Sequence, residues 1–124
     1  MDEWSFKIYG TNESDVDAWI EGLSPKAMAR MDVIINHLRV TRVWGRPYIA
    51  ALKIHSGIYE IIFTVQNIQY RPLGCYGPND KEFTILTGAT EKGNKFNPLN
   101  APLKAEKRRK DIFQGREGVH DHNP

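Results

Sequence analysis

Between residues 58 and 88 the chain carries three apolar runs of strand length, at 58–65, 68–76 and 82–88. Gln66-Asn67 separates the first two, and Gly77-Pro78-Asn79-Asp80 separates the last two. Breaks this short, of two and five residues, leave room for tight turns and nothing longer. The arrangement therefore predicts an antiparallel meander. Residues 49–54 add a short strand ahead of it, closed by the Ser56-Gly57 turn, after the loop at Gly45-Arg46-Pro47.

The first forty residues follow a different period. Trp4, Phe6 and Ile8 alternate with polar residues, as a half-buried strand requires, and Gly10 ends it. Val16, Trp19, Ile20 and Leu23 then fall at helical spacing behind the capping oxygens of residues 11–14, which predicts a helix over 14–22. Ser24-Pro25 restarts the helix, since proline in the first turn forfeits no hydrogen bond. Met28, Met31, Ile34, Ile35 and Leu38 line one side of a second helix reaching about residue 40. A strand and a helical hairpin followed by strands in meander order predict an α+β domain, its helices on one face of an antiparallel sheet of about four strands.

Beyond the meander, residues 89–98 read as a polar, glycine-containing loop, and Pro102 opens a last helix over 101–113. Its apolar stripe is only Leu103, Ala105, Ile112 and Phe113, so the expectation is a basic helix weakly held to the core. Residues 114–124 are nearly devoid of apolar side chains and are expected to be a mobile tail after a single domain at 1–113.

The chain has 124 residues, 40% hydrophobic and 26% charged, enough for one domain with a real core. A single cysteine, Cys75, excludes an internal disulfide framework. Met1-Asp2-Glu3-Trp4 has neither the basic start nor the apolar run of a secretory signal, and no stretch has the length of a membrane span. A cytoplasmic protein without a membrane partner is the expectation. The net charge of +2 is unevenly spread: residues 92–110 hold seven basic side chains against one acid, a net of +6, whereas residues 1–36 carry −4. A segregated basic segment suits a polyanion or an acidic protein.

Three constellations have chemical potential. Arg71 lies in mid-strand beside Gln69 and Tyr70; on an open sheet face its guanidinium would hold a phosphate bidentately, and alternatively it would pair with Glu60 on a neighbouring strand. Lys92 and Lys95 sit in the segment after the last strand, where ammonium groups neutralise a phosphate or an oxyanion, or stay in solvent as an ordinary loop. Lys104, Lys107, Arg108, Arg109 and Lys110 form a basic run, either an RNA-binding face or a solvated helix surface. His120 and His122 lack the preorganised neighbours of a metal site, so no metal or other cofactor is expected. His37 and His55 stand alone in sequence, and Cys75 reads as a buried, inert thiol.

A set of short motifs runs through the second half: Leu52-Lys53, Gly57-Ile58-Tyr59-Glu60-Ile61-Ile62, Tyr70-Arg71, Ile85-Leu86-Thr87-Gly88-Ala89-Thr90-Glu91-Lys92, Lys95-Phe96-Asn97-Pro98 and Ala105-Glu106-Lys107-Arg108. In this order they resemble the RelE/HigB-like toxins of type II toxin–antitoxin pairs, closest to the phage-derived HigB-type branch of the RelE/ParE superfamily. The resemblance implies the RelE-like fold, a curved antiparallel sheet with an N-terminal helical hairpin. It implies a metal-independent endoribonuclease (an mRNA interferase) that cuts mRNA on the ribosome and is silenced by a cognate antitoxin. In that chemistry a 2′-OH attacks its neighbouring phosphate and cationic side chains stabilise the charge that develops. Carried across, Arg71, Lys92 and Lys95 become the phosphate-stabilising group. Tyr70 becomes a base-stacking or proton-donating residue, and Lys53 and Tyr76 join Lys104, Lys107, Arg108 and Arg109 as RNA contacts.

Two positions depart from the family pattern. Ile62 stands where an arginine is usual, and Glu91 where a lysine is usual. Both remove positive charge, which keeps open a non-catalytic interaction protein of the same fold and phage origin. A ParE-like inhibitor of DNA gyrase and an unrelated RNA-binding domain are the other readings.

Overall fold

The computed structural model describes residues 3–124; Met1 and Asp2, the beginning of the acidic N-terminal stretch, lie outside it. Among the described residues there are three helices and ten short strands. β1 is Ser5–Tyr9, α1 Asp15–Glu21 and α2 Pro25–Arg39; β2 is Ile49–Ala51, β3 Tyr59–Ile61, β4 Phe63–Val65, β5 Ile68–Tyr70, β6 Leu73–Tyr76 and β7 Glu82–Thr87. β8 is Thr90–Lys92, β9 Lys95–Asn97, α3 Ala101–Phe113 and β10 Val119–Asp121. The chain is α+β, as its periodicities predict. No helix among the described residues is long and apolar enough to cross a membrane.

The strands form two sheets, in the orders β10-β1-β7-β6-β3-β2 and β4-β5-β8-β9. The larger is mixed rather than antiparallel, because β1 runs parallel to β7 with Phe6 opposite Phe83 and Ile8 opposite Ile85. The helical hairpin supplies the long crossover that a parallel pair needs. The two long runs expected at 58–65 and 68–76 are each broken, at Ile62 and at Arg71-Pro72. Pro72 has no N–H to give a ladder. The backbone at the break bonds elsewhere: Ile62 N–H donates to Tyr48 O and Arg71 N–H to Ala89 O. β3 and β6 remain in the larger sheet, β3 paired with β2 and β6 and β6 with β7, while β4 and β5 turn away into the smaller sheet. Their Gln66-Asn67 turn has positive φ at both residues, the type I′ geometry, even without a glycine.

Two helices pack on one face and one on the other, so the expectation that all helices share a face is corrected. Phe83 and Ile85 of β7 meet Phe6, Ile8, Val16, Ile20, Ala27, Met31, Ile34, Ile35 and Leu38. Leu86, with Leu73 and Cys75, meets Ala101, Ala105 and Ile112 of α3. Each such aliphatic or aromatic side chain contributes about 1.5–3 kcal/mol when taken out of water. Close approach demands glycine at two places. A Cβ on Gly74 would lie 2.4 Å from Thr84 O, and one on Gly88 would lie 2.1 Å from the Trp19 ring.

The helix ends form as the sequence predicts. Ser14 caps α1 in a reciprocal box with Asp17, and Ser24 Oγ accepts from Ala27 N–H at the start of α2. Innermost in α2 is Ala27 rather than Met28, which is only half-buried.

Two expectations for the C-terminal third are overturned. Residues 89–98 are a β-hairpin, with Lys92 opposite Lys95, because Thr90 and Glu91 continue the ladder of β5. Residues 114–124, expected to be mobile, carry β10, which pairs antiparallel with the exposed edge of β1. Lys7 bonds Asp121 there. His120 bridges Gly10 O (2.7 Å) and Asp17 Oδ1 (2.9 Å). Both its partners are acceptors, so both ring nitrogens must donate, as in imidazolium. Burial opposes that charge, but the two hydrogen bonds and Asp17 outweigh it and raise the His120 pKa. The apolar content of the tail is small, and the edge of β1 supplies the attachment instead.

Deleting residues 119–124 should therefore destabilise the protein by about 1–3 kcal/mol, the worth of a few part-buried hydrogen bonds. Thermal unfolding of the truncated and full chains, showing a midpoint lower by several degrees in the former, is the check. An unchanged midpoint would return these residues to a mobile tail.

Candidate functional site

The residues singled out from sequence separate into three groups in space. The first surrounds Arg71. Its side chain is not in open space: the residue is only 9% exposed. Nη1 donates to Tyr70 O (2.7 Å) and Phe63 O (3.4 Å), and Nη2 donates to Gln69 Oε1 (3.0 Å). Nε lies 3.6 Å from Glu60 Oε1 and 3.3 Å from Glu91 Oε1. Every nitrogen of the guanidinium is engaged, and two carboxylates share one positive charge. Burial pushes the Glu60 pKa up; Arg71 partly offsets this and Glu91 adds to it. Pairing with Glu60, one of the two alternatives open from sequence, is what forms. An open phosphate-binding Arg71 is corrected: strand breakage at Pro72 turns the side chain back over its own backbone. Tyr70 is likewise in the core, stacked on Phe63 at 5.1 Å between ring centres and edge-on to Trp19.

The second group is α3, whose basic run is mostly tied to the fold. Arg108 makes a two-pronged pair with Asp15 (2.7 and 3.0 Å), donates to Leu86 O (2.9 Å) and lies 4.5 Å above the Tyr9 ring. Lys104 Nζ reaches Asp15 Oδ2 at 2.6 Å. The Arg108 hydrogen bond leads in pulling the Asp15 carboxyl down to about 2. Arg109 stacks on Phe113 and packs against Gly57. Lys107 touches Asp111 (3.3 Å) but its side chain is 79% exposed. The expectation of a weakly held helix is corrected by these ties together with the buried Ala101, Ala105 and Ile112. As a polyanion surface, the run is reduced to Lys107 and Lys110.

Tyr76 belongs to neither group. It sits half-buried among Trp4, Trp44, Tyr59 and Phe83, with ring centres 4.7–5.6 Å away, and burial raises its pKa. It borders a hollow of about 320 Å³ with Trp4, Lys81 and Phe113.

The third group is a cleft of about 350 Å³. The loop after β2 supplies Leu52, Lys53, Ile54 and His55; the β8–β9 hairpin supplies Asn94, Lys95 and Phe96; Leu99 and Pro102 close it at the start of α3. Lys53 and Lys95 are exposed, and Lys92 faces Lys95 across the hairpin. Neither cleft lysine has a carboxylate within ion-pair distance among the described residues, in contrast to Lys104 and Arg108. Ile54 (86% exposed), Leu99 (75%) and Leu103 (64%) give its surroundings an apolar character. His55, solitary in sequence, bonds Glu106 of α3, Nδ1 to Oε2, at 2.9 Å. A carboxylate only accepts, so Nδ1 donates, and whenever the ring is neutral Nε2 is its acceptor nitrogen. Sequence reading missed this pair because its members are 51 residues apart. The one available signal was the lone acid in the basic run, Glu106.

Of the residues expected from sequence, the structure thus brings Lys53 and Lys95 together, with Lys92 alongside, and leaves Arg71, Tyr70, Tyr76, Lys104, Lys107, Arg108 and Arg109 elsewhere. Two ammonium groups can hold a phosphate, Phe96 and Ile54 offer apolar surface to a base, and His55 adds a proton acceptor. Compared with family models, with curated proteins and with solved structures, the chain matches none.

Arg71→Ala should destabilise the protein rather than remove a surface charge, since it leaves Glu60 and Glu91 facing each other. Breaking a buried pair costs about 3–5 kcal/mol, and the partial exposure of Glu91 places this one nearer 2–3. Urea unfolding is the measurement, and adding Glu60→Gln should recover much of the loss. A stable Arg71→Ala protein would mean that the cluster carries no structural weight. For Asp15, whose pKa is depressed, the contribution is present above its ordinary 3.8 and is lost as pH falls through about 2. Asp15 is half-exposed, so screening keeps the effect small. Acid unfolding of wild type and Asp15→Asn should converge toward pH 2, with wild type the more stable above pH 4.

Proposed function

We propose that the chain is the toxin of a type II toxin–antitoxin module, an mRNA endoribonuclease of the RelE/HigB-like kind that works in the cytoplasm on translating ribosomes and is held in check by an antitoxin protein. The observation that carries the reading is the cleft. Lys53, from the Leu52-Lys53 motif, and Lys95, from the Lys95-Phe96-Asn97-Pro98 motif, are 42 positions apart in sequence and line the same hollow. The order strand, helical hairpin, strands and basic helix is compatible with the RelE-like layout. In this reading the ammonium groups of Lys53 and Lys95, supported by Lys92, hold the scissile phosphate and stabilise the negative charge of the pentacoordinate transition state. The 2′-OH is the nucleophile, which restricts the substrate to RNA. Arg71 and Tyr70 support the sheet beneath and do not touch the substrate. Loss of the usual cations at Ile62 and Glu91 is then a change in how the sheet is held, with Glu91 serving Arg71.

A second reading is favoured by the Glu60-Arg71-Glu91 cluster: a protein of the same fold that binds RNA or an acidic partner without cutting. A strand arginine neutralised by two acids is what a chain relieved of catalysis can keep for stability.

Induced expression in a bacterial host, with growth and mRNA 5′ ends followed together, separates the two. Growth arrest with new ends inside translated codons is expected. The arrest and the ends should both fall at least tenfold in Lys53→Ala/Lys95→Ala, a pair of exposed substitutions that leave the core intact. Normal growth and intact mRNA from a folded protein would favour the second reading.

A further inference from the structure

Resting on the ribonuclease reading, we infer that His55, held by Glu106, is the catalytic proton acceptor of the cleft. The geometry has three parts. His55 lines the hollow that Lys53 and Lys95 also line. Its Nδ1 is bound to Glu106 at 2.9 Å, which fixes the ring's orientation and tautomer and leaves Nε2 to accept. Glu106 comes from α3, a helix anchored by Arg108, Lys104 and its buried alanines, so the carboxylate is on a rigid element rather than a loop. A base whose orientation is set by a carboxylate on a neighbouring element is the arrangement that activates a hydroxyl nucleophile elsewhere in enzyme chemistry.

The step balances without a metal or a redox partner. His55 Nε2 takes the proton of the 2′-OH as O2′ forms its bond to phosphorus. The bond from phosphorus to the 5′-oxygen breaks, and that oxygen leaves as an alcohol with a proton from water. The products are a 2′,3′-cyclic phosphate and a 5′-hydroxyl end, and the imidazolium returns its proton to solvent. Glu106 stabilises the imidazolium and is a positioning residue. The other charged groups that line the hollow are Lys53 on the same loop and Lys95 on the hairpin; Arg109 of α3 packs two residues further along, against Gly57.

The experiment has two arms on the full chain. In the first, the His55 ring nitrogens and the Nδ1–H proton are followed by NMR in wild type and Glu106→Gln. The expected result is a hydrogen-bonded Nδ1–H signal in wild type that is lost or displaced in the variant. Identical ring spectra in both proteins would overturn the pairing whatever the activity. In the second arm, single-turnover cleavage of mRNA on translating ribosomes is compared for wild type, His55→Gln and Glu106→Gln. His55→Gln should slow cleavage about 10²–10⁴-fold, with ribosome binding unchanged and the limb of the pH profile assigned to the base abolished. Glu106→Gln should give a smaller loss, and the conservative Glu106→Asp should recover part of it. Full-rate cleavage by His55→Gln would overturn the assignment and leave the ribonuclease reading standing. A wild type that cuts nothing while its His55–Glu106 hydrogen bond is seen as expected would overturn the ribonuclease reading, and the catalytic assignment with it.

Discussion

All six residues of β7, Glu82–Thr87, are buried, and the rest of the structure is arranged around that fact. A strand buried on both faces needs apolar cover above and below, and ladder partners on both edges. The helical hairpin covers one face through Phe83 and Ile85, and α3 covers the other through Leu86. β1 and β6 satisfy the two edges, one parallel and one antiparallel. The parallel pairing with β1 forces the chain to cross over through α1 and α2. It also leaves the far edge of β1 open, and that is where β10 attaches.

Positive charge is spent on holding these layers together. Asp15 at the start of α1 binds Arg108 and Lys104 of α3 across the end of the sheet, so the two helical layers are tied by one carboxylate. Arg71 plays the same part between strands, joining Glu60 of β3 to Glu91 of β8 and so the larger sheet to the smaller. Arginine suits such places because its planar fork serves several acceptors at once, which a lysine cannot do. Beyond α2 the lysines that remain exposed are Lys53, Lys92, Lys95, Lys107 and Lys110, a smaller set than the charge distribution suggests. Three of them are at or beside one cleft.

That cleft is assembled from a loop, a hairpin and a helix start, none of which is a site alone. The hairpin is there because Thr90 and Glu91 extend β5, and the helix start is there because Ala101 and Ala105 let α3 approach the sheet closely. The exposed Ile54 and Leu99 near it are tolerated singly by any protein surface, but beside the two cleft lysines they make a surface that is both apolar and cationic.

Much of the architecture was legible from short-range signals. Ser14, Ser24 and Pro25 marked helix starts, alternation at Trp4, Phe6 and Ile8 marked β1, and the Gln66-Asn67 and 77–80 turns divided the meander. Signals of this kind act over a few residues, through capping bonds, steric preferences and side-chain periodicity, and one sequence suffices to read them. The sequence by itself thus determined the α+β class and the order of the first strand, the helices and the central runs, but not the breaks at Ile62 and Pro72 or the hairpin at 89–98. Only the tertiary structure decided that β1 lies parallel to β7, that the tail becomes an edge strand, and which charges stay in water. Those outcomes depend on partners such as Asp15 with Arg108 and His55 with Glu106, 93 and 51 residues apart. An ion pair across that separation has no periodicity to betray it, because it forms only after burial has brought the two layers together.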